Sequence, residues 1–111
     1  MSIKEMAEQL GLKIIADEVE LGRKISKVYI CDLLSFAVSK APRDGAWITV
    51  MNNVNVIAVA SLADVSCVIM AEGVTPDAQA LEKAKSIGLP LLLSELPAFE
   101  IGQAIAAGIP R

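Results

Sequence analysis

Short apolar runs alternate with helix-length segments in the second half of the chain, and no other feature of the sequence restricts the fold as strongly. The runs cover 46–51, 66–71 and 89–93, and each predicts a β-strand. A continuous apolar run such as 66–71 is typical of a strand covered on both faces in a parallel sheet. Since short strand–helix–strand connections cross over with a right hand, the pattern predicts an α/β fold, with three α/β/α layers around a mostly parallel sheet of about five strands.

Capping residues predict where the helices begin. Ser2 and Glu5 have the spacing of a capping box. Asp32 and Thr75 are the predicted N-caps of two further helices, and Pro97 opens the last one. The predicted helices are 2–10, 33–40, 54–63, 76–87 and 97–107, and two further predicted strands are 12–16 and 25–31.

The segment 54–63 is ambiguous by composition. Its valines favour a strand. Its length, its alanine spacing and the asparagines before it favour a buried helix capped by Asn53 or Asn52. We predict a helix.

Composition restricts the class of protein. The chain has 111 residues, of which 54% are hydrophobic and 21% charged, so we expect one compact domain over 1–111 rather than a disordered chain. The net charge is −3 and there is no basic tract, which argues against a nucleic-acid partner. The start of the chain lacks the apolar core of a signal peptide, and no apolar run is long enough to cross a membrane. We therefore expect a cytoplasmic protein.

Few residues offer catalytic chemistry. Histidine is absent, which removes the commonest general base and metal ligand. Neither glycine-rich phosphate-binding motif occurs. Cys31 and Cys67 should lie at opposite edges of a parallel sheet as buried thiols, too far apart for a disulfide. The residues predict no catalytic group, no metal and no cofactor, so we expect that the chain is not an enzyme.

Polar residues collect where the predicted strands end. These carboxyl ends are where open α/β sheets bind ligands, and they carry Asp32, Asn52, Asn53 and Glu72, with Asn55 just inside the following helix. Ser94 and Glu95 follow the last strand. Two interpretations stay open: a ligand site formed by the first five residues, or a set of helix caps and turn residues. A divalent cation between Asp32 and Glu72 is a further alternative, although no metal site is predicted.

The predicted helix 54–63 is apolar on nearly every side, so something must cover the side that faces away from the sheet. A second copy of the chain is the simplest cover. We therefore predict a homodimer with Val56, Val59, Ala60 and Ala63 as contact residues. The alternative is that the first helix of the same chain packs over this segment.

Several stretches resemble the DRTGG domain family over about residues 20–105. They are "VYICDLL" at a strand-to-helix junction, "WIT" in a strand, an asparagine before "VIAVA", and "PDAQALEKAKSIGLPLL" after an apolar strand. Two positions depart from the family pattern. Arg23 follows a glycine where an Asp-Arg pair is expected, and Asn53 stands where the family often has histidine.

The resemblance implies a function as well as a fold. Domains of this family accompany CBS domains in regulated pyrophosphatases, and a similar domain forms the N-terminal part of HPr kinase/phosphorylase. Their chemistry resides elsewhere in the protein. The resemblance therefore implies a non-catalytic regulatory or assembly module that acts through self-association or a protein partner. The alternative is a sensor that binds a nucleotide or metabolite at the strand carboxyl ends.

Overall fold

The structure is a computed structural model, and it describes residues 1–16 and 21–109. Helices and strands follow one another in the order expected from the sequence. They are α1 (Ile3–Leu10), β1 (Lys13–Ala16), β2 (Lys27–Ile30), α2 (Leu34–Lys40), β3 (Gly45–Thr49), α3 (Val54–Ala63), β4 (Cys67–Met70), α4 (Ala78–Ile87), β5 (Leu91–Leu93) and α5 (Ala98–Ala107).

The five strands form one sheet in the order β1-β5-β4-β3-β2. Strands β2 to β5 are parallel neighbours, as the alternation of strands and helices predicted. The exception is β1, which pairs antiparallel with β5, so that Lys13 lies opposite Leu93. An α/β fold with a mostly parallel sheet is therefore confirmed.

Helices cover both faces of the sheet. On the first face, α2, α3 and α4 pack on one apolar cluster that includes Trp47 and Val68. On the second face, α1 and α5 pack on another cluster that includes Ile48 and Ile69. Successive residues of a strand point to opposite faces of the sheet, so neighbours such as Trp47 and Ile48 belong to different clusters. The three predicted layers are therefore present.

Helix α3 begins and ends where the sequence predicted. The Asn53 side chain accepts a hydrogen bond from the Asn55 backbone N–H, which caps the helix. The helix has no distinct polar side because α2 and α4 lie on either side of it and bury its flanks. Its position explains an apolar composition that a lone surface helix would not tolerate.

The predicted dimer contact on α3 needs correction. Val56 and Ala60 are fully buried in the chain's own core, and Val59 is nearly so. Their side chains have no surface left for a second copy, while Ala63 is half-buried. The alternative, α1 packing over this segment, is also wrong, because α1 lies on the other face of the sheet. The neighbours α2 and α4 bury the flanks of α3, and its outer side, with Ala58, Ser61 and Leu62, is exposed.

Two predicted caps are also wrong. Helix α4 is capped by Asp77, whose Oδ1 accepts from the Ala80 backbone N–H at 2.8 Å, and not by Thr75. Helix α2 begins after Leu33, whose apolar side chain makes no capping hydrogen bond. Asp32 does not cap this helix, because its carboxylate accepts from Thr49 instead.

Within the described residues, no helix is long and apolar enough to cross a membrane.

Candidate functional site at the carboxyl edge of the sheet

Four parallel strands end at one edge of the sheet, called here the carboxyl edge. Asp32 follows β2, Asn52 and Asn53 follow β3, Glu72 follows β4, and Glu95 follows β5. The fold therefore brings the loops that carry the predicted ligand-binding residues to a single edge, although each loop uses its polar groups differently.

Asp32 joins the ends of two neighbouring strands. Its Oδ1 accepts a hydrogen bond from the Thr49 hydroxyl at 2.7 Å and another from the Val50 backbone N–H at 2.8 Å. The Thr49 hydroxyl in turn accepts from the Met51 N–H at 3.1 Å. These bonds order the loop after β3, so the Asp32 carboxylate has a structural partner that the sequence pattern did not reveal.

The asparagines mainly satisfy backbone groups. The Asn52 side chain donates from Nδ2 to the Thr75 backbone carbonyl at 3.0 Å. The Asn52 backbone carbonyl accepts from the Asp77 N–H, also at 3.0 Å. Asn53 caps α3, while the Asn55 side chain is exposed in the first turn of that helix. Asn52 thereby holds the loop before α4 against the loop before α3. These contacts favour the interpretation of Asn52 and Asn53 as loop and cap residues.

Glu72 lies in a tight turn after β4. Both it and Gly73 have left-handed backbone conformations, with φ of 59° and 76°. Their backbone N–H groups donate to the carbonyls of Leu96 and Ser94, each at 2.9 Å. Asp32 and Glu72 follow strands that are separated by β3, about 10 Å apart at ordinary strand spacing, and Oδ1 of Asp32 already accepts hydrogen bonds from Thr49 and Val50. Among the described residues, no group of three or more Cys, Asp or Glu side chains is close enough to hold a metal ion.

A cleft of about 300 Å³ opens beside this turn, between β1, β5 and the β4–α4 loop. It is lined by Gly11, Lys13, Gly73, Val74, Thr75, Leu93, Ser94 and Glu95. Of the ion pairs formed by the described residues, none joins Lys13 to Glu95, although the cleft contains both. Sequence reasoning missed Lys13 because nothing in a short local pattern shows that β1 pairs with β5.

The Glu95 carboxylate lies against the backbone of Gly73. A Cβ atom at position 73 would meet the Glu95 Oε2 atom at 2.6 Å, and the positive φ of Gly73 also disfavours any side chain there. The polar groups that line the cleft are the Lys13 ammonium, the Glu95 carboxylate and the hydroxyls of Thr75 and Ser94. Such a lining suits a small polar ligand.

Five apolar side chains are exposed around the same edge, and we call this surface the apolar corner. It comprises Ile30, Leu33, Val50, Leu96 and Phe99. Phe99, in the first turn of α5, is 70% exposed. Helix α5 passes close over β2 because Gly102 has no side chain. A Cβ atom there would lie 3.1 Å from the Ile30 Cδ1 atom. Phe99 lies one helical turn before Gly102, toward the carboxyl edge.

The two cysteines differ in environment. Cys67 is fully buried, and loss of hydration raises the pKa of its thiol to about 12, although Arg23 opposes the shift. Cys31 is only half-buried, which corrects the expectation of two buried thiols. Its Sγ donates to the Leu33 carbonyl at 3.4 Å, and its own carbonyl accepts from the Trp47 indole at 3.0 Å. Cys67 opens β4 at the opposite edge, as predicted.

Arg23, at the edge where the parallel strands begin, binds two loops together. Its guanidinium contacts the Asp44 carboxylate at 2.7 Å and the Asp64 carboxylate at 3.0 Å, and it donates to the Asp64 carbonyl at 2.7 Å. Burial alone would lower the pKa of Arg23, but the hydrogen bonds to both aspartates outweigh it and raise the pKa. Both aspartates have left-handed backbones. Arg23, which stands where the family pattern has an Asp-Arg pair, therefore has a structural role.

Comparison with known proteins agrees with this architecture. No curated protein matches the sequence. The fold is similar to a crystal structure of the CBS and DRTGG domains of the regulatory region of Clostridium perfringens pyrophosphatase, complexed with its activator, diadenosine tetraphosphate. The TM-score is 0.76 at 18% sequence identity, over 98% of this chain and 47% of that one, so this chain spans about half of its length. The sequence profile of the DRTGG domain matches residues 5–107. The chain therefore belongs to the DRTGG domain family.

Proposed function

We propose that the chain is a non-catalytic regulatory or assembly module that acts through a protein contact. The observation that carries this function is the apolar corner. Several large apolar side chains exposed along one edge of a small domain are typical of a protein-binding surface. An aromatic side chain such as Phe99, exposed at the start of a helix, is of the type enriched in protein interfaces.

The polar groups at the carboxyl edge support a non-catalytic role. The Asp32 carboxylate and the Asn52 and Asn53 side chains are engaged in hydrogen bonds that hold loops and caps. The sequence contains no histidine to act as a base. The related pyrophosphatase region is itself described as regulatory and combines this domain with CBS domains. We infer that this chain likewise influences a protein whose chemistry lies elsewhere.

Site-specific photocrosslinking tests the docking function. A photoreactive phenylalanine analogue replaces Phe99 in the full chain, expressed in the cell that naturally makes it. Ile87, at the end of α4 on the opposite edge of the sheet and 40% exposed, is the matched control position. We expect discrete crosslinked species from position 99, identified by mass spectrometry as this chain or one recurrent partner, and few from position 87. Equal, diffuse labelling at both positions would contradict the proposed function.

Ligand sensing is the second candidate, and the cleft beside Gly73 favours it. The related regulatory region binds a nucleotide activator, and this cleft lies at the carboxyl ends of the strands, where α/β folds bind ligands. The lining residues Lys13 and Glu95 were not among those predicted, whereas Asp32, Asn52 and Asn53 have other partners.

Thermal unfolding with adenine nucleotides, with and without magnesium, tests ligand sensing. A ligand at ~100 times its Kd should stabilise the fold by about 2.7 kcal/mol. Lys13→Gln should remove the effect, whereas Lys83→Gln, an exposed lysine on α4, should not. No shift with any nucleotide, or a shift that Lys13→Gln leaves unchanged, would exclude the cleft as the nucleotide site.

A further inference from the structure

Acidic residues stand beside the apolar corner in the chain. Asp32 precedes Leu33, Glu95 precedes Leu96, and Glu100 follows Phe99. The loops that follow the four parallel strands, with the first turn of α5, occupy 31–33, 50–53, 71–77 and 94–100. They contain Asp32, Glu72, Asp77, Glu95 and Glu100, and no lysine or arginine.

Lys13 lies at the carboxyl edge and shares the cleft with Glu95, although no ion pair among the described residues joins the two. Other basic residues lie away from this surface. Lys40 is in the last turn of α2, which runs from the carboxyl edge to the opposite edge, and its Nζ lies 5.4 Å from the Phe36 ring. Arg23 and Arg43 form ion pairs with Asp64 at the opposite edge. The five carboxylates of the carboxyl edge exceed the single positive charge of Lys13, so the border of the apolar corner is negative.

We propose that the apolar corner binds a basic amphipathic segment of a partner protein. This partner specifies the protein contact of the proposed function and rests on it. Apolar side chains of the segment would bury Leu33, Val50 and Phe99, while flanking lysines or arginines would approach Glu95 and Glu100. Complementary charge at the rim of an apolar contact selects the partner and speeds its approach.

A second copy of the chain does not suit this surface. Closed pairs of identical chains use the same patch on both copies. In such a pair, loops that carry carboxylates and no lysine or arginine would meet the same loops of the other copy, so Glu95 and Glu100 would find no basic partner there. Like charges brought together at an interface are unfavourable, so the charge pattern favours a partner of opposite charge.

The dimensions of the corner fit a short helix. The corner reaches from the end of β2 to the end of β5, three strand spacings or about 14 Å apart. Three turns of an α-helix span about 16 Å, so apolar residues at helical spacing from i to i+11 of a bound helix would cover the distance.

Two synthetic amphipathic helices test the inference with the full chain. They share one leucine pattern, and their polar faces carry only lysine or only glutamate. We measure binding by fluorescence anisotropy at low and physiological salt. We expect the leucine–lysine helix to bind, with affinity that falls as salt rises, and the leucine–glutamate helix not to bind.

Variants of the chain locate the contact. Combining Leu33→Ser with Phe99→Ser should weaken binding of the leucine–lysine helix about tenfold or more. Serine is a favoured N-cap residue, so the change at position 33 should not weaken α2. Combining Glu95→Gln with Glu100→Gln should weaken binding about threefold and reduce its salt dependence. The matched controls are Ile87→Ser and Glu82→Gln, both exposed on α4, which should leave binding unchanged.

Each contrary result has its own meaning. If both helices bind equally, and only the Leu33 and Phe99 changes weaken them, the basic partner is wrong while the docking function stands. The same conclusion follows if the chain forms dimers that Phe99→Ser dissociates. If neither helix binds, or if the corner variants bind the leucine–lysine helix as tightly as the natural chain does, the proposal of a basic partner is wrong. The docking function is then tested by crosslinking from position 99 alone.

Discussion

Asp32 shows how one side chain can order an edge of the sheet. Its carboxylate accepts hydrogen bonds from the Thr49 hydroxyl, which is almost fully buried, and from the Val50 N–H. The sequence suggested that Asp32 caps α2, because the residue precedes a helical pattern. Its real partner lies 17 positions away on the neighbouring strand. Local patterns identify residues that can cap, but only pairing of β2 with β3 determines which contact forms.

Removal of the Asp32 carboxylate should destabilise the fold. We expect Asp32→Ala to lower the free energy of unfolding in urea by about 1–3 kcal/mol, since the buried Thr49 hydroxyl loses its acceptor. Asp32→Asn keeps one acceptor oxygen and should lose less. If the alanine variant were as stable as the natural chain, the Asp32 carboxylate would have no structural role.

The capping box of α1 makes stability depend on pH. The Ser2 N–H, the Ser2 hydroxyl and Lys24 all favour the charged form of Glu5 and lower its pKa. The resulting stabilisation is present above the pKa that Glu5 has in the unfolded chain. It is lost as the pH falls through the lower pKa of the folded chain.

Comparison with Glu5→Gln measures this effect. The difference in urea midpoint between the two chains should shrink as the pH falls through the lowered pKa of Glu5. In NMR titrations, Ser2→Ala should move the pKa of Glu5 part of the way back, whereas Ser2→Thr should keep it low. A difference in midpoint that stays constant with pH would contradict the capping box as its source.

At the scale of elements, α4 begins two residues later than the sequence predicts. Thr75, Pro76 and Asp77 offer two capping side chains, and the sequence alone does not rank them. The structure selects Asp77 because the Asn52 carbonyl accepts its N–H and holds its backbone in the extended conformation of a cap. The contact that decides the boundary comes from a different loop.

Two substitutions distinguish these caps. Asp77→Ala should cost about 1 kcal/mol in urea unfolding, the usual effect of losing an N-cap. Thr75→Ala should change stability by less than about 0.5 kcal/mol, because the Thr75 side chain is exposed. The opposite ranking would restore Thr75 as the cap.

At the scale of the molecule, the layers and the parallel order of β3, β4 and β5 could be predicted from the sequence. Apolar strands, glycines that end helices and short connections leave few possible arrangements of the strands and helices. The covered face of α3 could not be predicted, since an all-apolar helix has no polar side to show its orientation. The cleft also escaped prediction, because it requires β1 to lie antiparallel beside β5.

The homodimer stays a prediction with a changed contact. Val38 and Leu62 are exposed on α2 and α3, which lie side by side on the first face of the sheet. We expect light scattering at micromolar concentration to give about twice the chain mass of 11.7 kDa. Leu62→Glu should return the mass to one chain, and Phe99→Glu should not. A mass of 11.7 kDa for the natural chain at every concentration would reject the dimer.

Pairing of β1 with β5 has a consequence for synthesis on the ribosome. Residues 13–16 are made early, but β5 at 91–93, their one strand neighbour among the described residues, is made near the end. Strands β2, β3 and β4 can align in the order in which they emerge, each brought beside the last by one helix. At about 5–20 residues per second, β1 waits several seconds for its neighbour. During that interval its backbone hydrogen-bonding groups are available to chaperones or to other nascent chains.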